Sequence, residues 1–209
     1  MVMKLYYIPL TRATRPRWLL EEMELSYELI NVRESPHRFE HKQLHPHGKV
    51  PVFVDDNVTI YESTAICAYL ADQYPEKQLS PSSNSPARAY YYQWLFYASV
   101  TLEAPVEHYL FQKNPHLPES LSPNSERQSG SQAETLQWFA KVCQPLNQHL
   151  KDNNYLVENQ LTTADIITGG VLYWAFLLEM MNEETPVKNY LMRLMERPAF
   201  QRVHEKNNE

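Results

Sequence analysis

One stretch of the chain, residues 45–70, limits the possible folds more than any other. It contains two short runs rich in β-branched residues, Val52–Val54 and 58–60, joined by a polar turn at 56–57. Two such runs on either side of a polar turn are typical of a β-hairpin. Ser63 then precedes apolar residues at helical spacing, and serine is favourable at a helix N-cap. The sequence therefore predicts strand, tight turn, strand and helix in this order.

The residues before this stretch predict a strand, a helix and a second strand. Residues 4–8 and 27–32 are rich in aromatic and β-branched residues, which favour strands. Between them, Thr11 is positioned to cap a helix that runs to about Met23, and a weaker helix is predicted at 36–44. A strand–helix–strand unit of this length is typical of parallel strands with a right-handed connection. The complete order, βαβ–α–ββα, is that of a thioredoxin-like domain.

The second half of the chain predicts helices only. A polar, proline-containing linker at 78–86 separates a thioredoxin-like domain at 1–77 from a helical domain at 87–209. The fold class is therefore α+β at the N-terminus followed by an all-α domain. Thr162 opens an apolar helix, and Asp165 follows it by three residues, a variant of the capping box.

Two long helices are expected within the helical domain, and each contains a proline. Residues 87–111 form an aromatic-rich helical pattern that Pro105 should kink or interrupt. Residues 126–152 predict a second long helix, disturbed near Pro145.

Composition excludes several classes of function. The formal net charge is −6, which argues against nucleic acid or an anionic membrane surface as a partner. Cys67 and Cys143 form neither a zinc spacing nor a disulfide framework, so a reducing compartment is expected. The longest uncharged apolar stretch, 166–178, is shorter than the roughly 20 residues that span a bilayer. We therefore expect a cytoplasmic protein that does not insert into membranes.

The sequence Gly-Lys-Val-Pro at 48–51, followed eleven residues later by Glu-Ser at 62–63, resembles the glutathione-binding half of the cytosolic glutathione S-transferases. This resemblance implies a cis Val50–Pro51 bond, with the Val50 backbone N–H and C=O paired to the cysteinyl part of glutathione. It also implies that Glu62 and Ser63 hold the γ-glutamyl end.

The opposite end of glutathione carries the glycyl carboxylate. By the same resemblance Lys49 reaches this carboxylate as a point charge, and His37 is a weaker candidate for the same end.

The end of the first predicted strand carries a second part of the resemblance. Tyr-Tyr-Ile-Pro-Leu-Thr at 6–11, with Arg15 four residues later, is similar to the pattern of the serine-type classes delta and theta. The resemblance places Thr11 at the catalytic serine and Arg15 at the arginine that packs behind it. No cysteine lies in this turn, which argues against a mixed disulfide with the protein. Tyr7 is the rival, because tyrosine-type classes use a tyrosine at the end of this strand.

The resemblance implies a homodimeric glutathione transferase that uses glutathione as co-substrate, without a metal, and attacks a small apolar electrophile. Tyr97, Val106 and Tyr109 are candidates for the electrophile pocket. Two alternatives stay open: glutathione-dependent reduction of peroxides or disulfides at the same site, and an interaction module without catalysis.

Two further groups of residues have simpler interpretations. The histidines of the segment before Val50 are expected in a solvated loop rather than in a metal site, because a metal needs a third ligand and a fixed second shell; these are His37, His41, His45 and His47. Cys67 lies among apolar residues and is expected in the core.

Overall fold

A computed structural model describes residues 2–33, 37–117 and 130–204, without the side chains of 37–39. The first part of the chain forms four strands and three helices. In chain order these are β1 (Met3–Tyr7), α1 (Thr14–Met23), β2 (Tyr27–Asn31), α2 (His37–Leu44), β3 (Val52–Val54), β4 (Thr59–Tyr61) and α3 (Ser63–Gln73). This order confirms the predicted thioredoxin-like arrangement.

The sheet has the strand order β2-β1-β3-β4. Strand β1 runs parallel to β2 and antiparallel to β3, and β3 runs antiparallel to β4. Tyr6 lies opposite Val52, which in turn lies opposite Tyr61. Because strands in an antiparallel pair run in opposite directions, the end of β1, the start of β3 and the end of β4 meet at one edge of the sheet.

Two compact units make up the chain. The first comprises Met1–Arg88 and Leu194–Glu209, and the second comprises Ala89–Arg193. The C-terminal helix α9 (Pro198–His204) packs on α1, where the rings of Trp18 and Phe200 meet edge to face with centroids 5.0 Å apart. The first unit therefore includes a C-terminal segment that the sequence analysis assigned to the helical domain.

The remaining α-helices, together with one π-helical stretch, belong to the second unit, except that α4 begins and α8 ends just inside the first. They are α4 (Ala87–Phe96), a π-helical stretch (Tyr97–Leu102), α5 (Glu103–Lys113), α6 (Gln132–His149), α7 (Thr163–Leu177) and α8 (Pro186–Met195). The predicted interruption near Pro105 occurs as the π-helical stretch that precedes it. Proline lacks the N–H that would bond the carbonyl one turn earlier, so the preceding turn departs from α geometry.

Helix α6 differs from the sequence prediction in two respects: it is not interrupted at Pro145, and it starts at a later residue. It continues through Pro145, and buried Val142 and Leu146 on either side anchor this turn in the core. It begins at Gln132, because Ser131 accepts a hydrogen bond from the Glu134 N–H at 3.2 Å and so caps it. Residues 126–129 of the predicted helix lie outside the described part.

Asp165 is the acceptor in a buried hydrogen-bond network of the second unit and has no exposed surface. Its carboxylate accepts hydrogen bonds from the N–H groups of Thr162 at 2.8 Å and Leu156 at 2.9 Å, and from the Tyr190 hydroxyl at 2.8 Å. Burial raises the pKa of Asp165 to about 6, against the lowering effect of these donors. The predicted contact between Thr162 and Asp165 is thus confirmed as part of a larger network.

No helix within the described ranges combines the length and the apolar content needed to cross a membrane.

Candidate active site

Three segments singled out from the sequence meet at the same edge of the sheet. The register row Tyr6–Val52–Tyr61 fixes their order, since each segment continues directly from one member of the row. Thr11 follows the end of β1, Val50 precedes β3, and Ser63 follows β4. Residues that lie 52 positions apart in the chain, Thr11 and Ser63, are thereby brought to one edge.

The Val50–Pro51 bond is cis, as predicted. Val50 is half-buried and packs against the cluster of Tyr6, Ile30, Val32 and Val52, so its backbone rests on a fixed apolar base. Among the hydrogen bonds between described residues, none uses the Val50 backbone. These groups are therefore available to pair with an extended ligand.

The Glu62 and Ser63 pair differs from its prediction in one respect. Ser63 is the first residue of α3 and is not its N-cap; the N-cap is Glu62, which has φ 73°. This positive φ turns the chain sharply between β4 and α3, a conformation uncommon for a residue with a side chain. Glu62 is exposed, whereas Ser63 is only 5% exposed. The turn presents the free N–H groups and the positive dipole end of α3 beside these two side chains, which suits a carboxylate.

Thr11 also lies outside the helix that it was expected to cap. Helix α1 begins at Thr14, and the N-cap position is Ala13. The Thr11 hydroxyl donates a hydrogen bond to the Ile8 carbonyl at 2.7 Å and accepts one from the Ala13 N–H at 3.3 Å. It thus closes a turn between β1 and α1, with Leu10 at φ 58°.

The buried Arg15 side chain lies close to the Cys67 thiol. Arg15 is 2% exposed, and its charge partly opposes the effect of burial, which raises the pKa of the Cys67 thiol. Arg15 is therefore close to Cys67 inside the unit, where the resemblance places a supporting arginine. Cys67 has no exposed surface, in agreement with the expectation of a core residue.

The two tyrosines of β1 have different surroundings. Tyr6 is buried, and its hydroxyl donates to Glu40 at 2.6 Å; burial and this bond raise the pKa of Tyr6. Tyr7 is half-buried, and the guanidinium of Arg17 lies 5.5 Å from the centre of its ring. Arg17 was not singled out from the sequence, because its contact with Tyr7 depends on how α1 packs against the sheet.

Two of the four histidines do not lie in the expected solvated loop, whereas His47 is exposed as expected. His41 and His45 are only 4% and 5% exposed, so the expectation is wrong for both. They are buried because hydrogen bonds pair them with the backbone of the following turn: His41 Nε2 donates to the Gly48 carbonyl at 2.9 Å, and His45 Nδ1 accepts from the His47 N–H at 3.0 Å. The His37 side chain lies outside the described part.

Lys49 is exposed and follows this turn directly. No group of three or more His, Cys, Asp or Glu residues that could hold a metal is found among the described residues.

The expected pocket residues of the second unit are more enclosed than predicted. Val106 has no exposed surface and Tyr109 is 6% exposed, so neither side chain presents a surface to a ligand. Their placement on the pocket is therefore corrected, because both fall on the face of α5 that packs into the core. Tyr97 is half-buried, and its hydroxyl donates to the Val142 carbonyl at 2.8 Å.

Known proteins resemble this chain along nearly its full length. The family model of the glutathione S-transferase N-terminal domain matches residues 1–72, and that of the C-terminal domain matches residues 102–198. The chain is 29% identical over 205 residues to glutathione S-transferase GstA of Escherichia coli O157:H7, covering 95% of this chain and 96% of that protein. A crystal structure of a glutathione transferase from Methylococcus capsulatus str. Bath superposes with a TM-score of 0.79 at 26% identity and covers 97% of each chain.

A different kind of relative is elongation factor 1-gamma 3 of Oryza sativa subsp. japonica. It is 26% identical over 192 residues, which cover 87% of this chain but only 42% of that protein.

Proposed function

Because the chain belongs to the cytosolic glutathione S-transferase family, we propose that it activates the thiol of glutathione for attack on an apolar electrophile. The observation that carries this proposal is the register row Tyr6–Val52–Tyr61. This row brings a hydroxyl, an unpaired backbone segment and a helix N-terminus to one edge of the sheet. Glutathione is a peptide thiol with charged ends, and its thiol, its backbone and one of its carboxylates could each pair with one of these groups.

Glutathione would bind along this edge in an extended conformation. Its cysteinyl part pairs with the Val50 backbone, in the manner of an added strand. The α-carboxylate of its γ-glutamyl end lies at the N-terminus of α3 beside Ser63, while Glu62 faces the α-ammonium group. Lys49 is exposed and directly precedes Val50 in the chain, and it would reach the glycyl carboxylate. Each charged end of glutathione would then meet a side chain or a helix N-terminus that complements its charge.

Thr11 would then stabilise the thiolate. A threonine hydroxyl does not act as a base at neutral pH, so the thiol proton leaves to solvent and the hydroxyl donates a hydrogen bond to the sulfur anion. The sulfur forms a bond to the electrophilic carbon, and the leaving group departs with the bonding electron pair. Tyr7 remains the rival donor, and Arg15 supports the turn from behind.

The electrophile is proposed to be small and apolar. Of the predicted pocket residues only Tyr97 keeps an accessible face, so it is the one that we retain. The identity of the electrophile would be tested with chloro-aromatic, epoxide and peroxide substrates. Turnover of chloro-aromatic or epoxide substrates supports conjugation, whereas turnover of peroxides alone favours the reductive alternative.

A second function is a transferase-like interaction module without catalysis. The similarity to elongation factor 1-gamma 3, which extends over 87% of this chain, favours it. Retention on glutathione-agarose together with turnover of any of these substrates would support the enzyme, with Thr11→Val as the matched control that binds glutathione but turns substrate over more slowly. Retention without turnover would support the module. Lack of retention would contradict both glutathione-dependent activities, the conjugation of electrophiles and the reduction of peroxides or disulfides.

A further inference from the structure

The turn that precedes the proposed glutathione-binding segment is built around a buried histidine. We call residues 45–48 the histidine turn. The N–H of His45 donates to the His41 carbonyl at 3.0 Å, and the His45 carbonyl accepts from the Gly48 N–H at 2.9 Å. Through its backbone, His45 therefore links the end of α2 to the histidine turn.

The ring of His45 joins the two halves of the proposed site. On one side its Nδ1 accepts a hydrogen bond from the His47 N–H at 3.0 Å. On the other side its ring lies 4.7 Å from the ring of Tyr61, the last residue of β4, next to Glu62. One side chain thus contacts the turn that leads to Lys49 and Val50 as well as the strand that leads to Glu62.

The hydrogen bond to His47 requires a neutral imidazole. Nδ1 is the acceptor, so the ring proton lies on Nε2, and a proton added to Nδ1 removes the acceptor. The bond from His41 differs, because its Nε2 donates to the Gly48 carbonyl and keeps its proton in either charge state. Of these two buried histidines, only His45 loses its contact when it becomes charged.

The electrostatic surroundings agree with a neutral ring. Burial lowers the pKa of His45 below its ordinary value of 6.5; the charge of Glu62 opposes this, while His47, Lys49 and His41 add to it. His41 belongs to α2, His47 and Lys49 belong to the histidine turn and the residue that follows it, and Glu62 is at the N-cap position of α3.

We propose that neutral His45 is a positioning residue, which holds the histidine turn in the conformation that lets Lys49 and Val50 bind glutathione. This inference rests on the proposed function. Protonation of His45 frees the His47 N–H and places a charge in a buried site, so the turn changes conformation and affinity falls. The site would therefore lose glutathione in acid through a group that never touches the thiol.

The test uses S-methylglutathione, whose blocked sulfur removes thiol ionisation from the binding equilibrium. Calorimetric titrations between about pH 5 and pH 8 stay above the range in which most carboxylates protonate. For the unmodified protein we expect constant affinity near pH 8 and a fall of about tenfold at the acidic end, as one hydrogen bond and the order of the turn are lost.

Three variants separate the role of His45 from its neighbours. His45→Asn keeps an oxygen acceptor for the N–H two residues later, as in an Asx-turn, but does not titrate, so its affinity should stay high and independent of pH. His45→Ala should bind about tenfold more weakly at every pH. His47→Ala keeps its backbone N–H and should retain the pH profile of the unmodified protein. A fall in affinity for His45→Asn like that of the unmodified protein would overturn the inference.

A second measurement does not depend on the ligand. Hydrogen exchange of the His47 amide, corrected for its intrinsic rate, should be slow in the unmodified protein and in His45→Asn at neutral pH. It should be faster in His45→Ala, and faster in the unmodified protein in acid. If the unmodified protein fails to bind at any pH, the proposed function fails, whereas equal protection in all three proteins overturns the role of His45. Should His45→Ala not fold, the acid-dependent exchange of the unmodified protein against His45→Asn gives the same answer.

Discussion

At the scale of single residues, the Thr11 hydroxyl has one proton and already uses it. The proton is donated to the Ile8 carbonyl at 2.7 Å. To stabilise a thiolate, the hydroxyl must turn away from this carbonyl, so thiolate binding competes with the turn that holds β1 to α1. Because the charge-assisted bond is about twice as strong as a neutral one, the exchange favours the thiolate.

The first prediction separates Thr11 from Tyr7. A free thiol has a pKa of about 8.5, and a bond to a charged group contributes about 1.5–3 kcal/mol, which lowers that pKa by roughly 1–2 units. We expect Thr11→Val to raise the pKa of bound glutathione towards its free value and to slow conjugation, while glutathione still binds. Thr11→Ser should retain activity, because only a methyl group is lost. The measurement is a pH titration of thiolate absorbance in the complex.

Tyr7→Phe is the matched change for this titration, since it also removes a single hydroxyl. It should leave the thiol pKa nearly unchanged. A raised thiol pKa in Tyr7→Phe together with an unchanged one in Thr11→Val would identify Tyr7 as the activating residue and refute the serine-type mechanism.

The second prediction concerns Ser63, which is 5% exposed at the start of α3. Loss of a hydrogen bond to a charged group costs about 1.5–3 kcal/mol, so Ser63→Ala should weaken glutathione binding about 10- to 100-fold. Calorimetry gives the dissociation constant directly. Thr59→Ala, which removes an exposed hydroxyl from β4, should bind like the unmodified protein. Unchanged affinity in Ser63→Ala would remove this residue from the site.

At the scale of helices, the start of α7 is held by a buried network of hydrogen bonds. Asp165 caps the Thr162 N–H and also accepts from Leu156 and Tyr190. The loss of an ordinary cap costs about 0.5–2 kcal/mol, whereas each buried donor left without an acceptor adds about 1–3 kcal/mol. The network is therefore more important to stability than its Thr-x-x-Asp pattern alone suggests.

The third prediction is the effect of breaking this network. Asp165→Ala should lower the free energy of unfolding by about 3 kcal/mol or more, measured by urea denaturation. Turnover per folded molecule should persist, because the residue is structural. Glu134→Ala removes the carboxylate from the exposed cap of α6 and should have a clearly smaller effect. A stable Asp165→Ala protein without turnover would show that Asp165 takes part in catalysis.

The fourth prediction is the pH dependence that Asp165 introduces. Its pKa is about 6 in the folded protein, and the ordinary value of 3.8 applies when the chain is unfolded. The folded state therefore holds the proton more tightly, and this contribution to stability is complete below pH 4 and lost as the pH rises to 6. The difference of about 2.2 pKa units corresponds to about 3 kcal/mol. In Asp165→Asn, the free energy of unfolding should lack this decline between pH 4 and pH 6; an identical decline would assign it to another group.

At the scale of the whole molecule, three large uncharged side chains form an exposed stripe on the second unit. Tyr92, Phe96 and Val100 are spaced four residues apart and are 43%, 62% and 67% exposed. Adjacent large apolar side chains with this exposure favour a protein partner. A second copy of the chain is the partner that the homodimer expected from the sequence would supply.

The fifth prediction tests this stripe. Phe96→Glu would place a charge in a buried interface, so we expect the variant to sediment as a monomer while the unmodified protein sediments as a dimer. Leu177→Glu changes an apolar residue of α7 that is 49% exposed and lies outside the stripe, and it should remain dimeric. A dimeric Phe96→Glu protein, or a monomeric unmodified protein, would contradict the assignment.

Features that depend on neighbouring residues were predictable from the sequence. The βαβ–α–ββα order, the hairpin at β3 and β4, and the contact of Asp165 with Thr162 all follow from alternation, turn residues and three-residue spacing. The prediction that the Val50–Pro51 bond is cis came from the resemblance of its flanking motif to a known family.

Tertiary structure decided the features that depend on distant residues. His41 and His45 looked like solvated polar residues, but they are buried because backbone groups of the following turn satisfy their ring nitrogens. Val106 fitted a pocket by its position, yet its side chain faces the core because of how α5 packs. Helix α1 begins at Thr14, past Thr11, because the turn after β1 must first reverse the chain direction, whereas α3 begins at Ser63 itself with Glu62 at the N-cap position.

The candidate site itself belongs to the second kind of feature. Its groups come from the turns after β1 and β4 and from the segment before β3, and local propensity sets no distance between them. Only the pairing of three strands in one register brings these segments to the same edge of the sheet. Sequence patterns thus determined the elements and the chemical groups that they carry, whereas long-range hydrogen bonds between strands determined which of those groups meet.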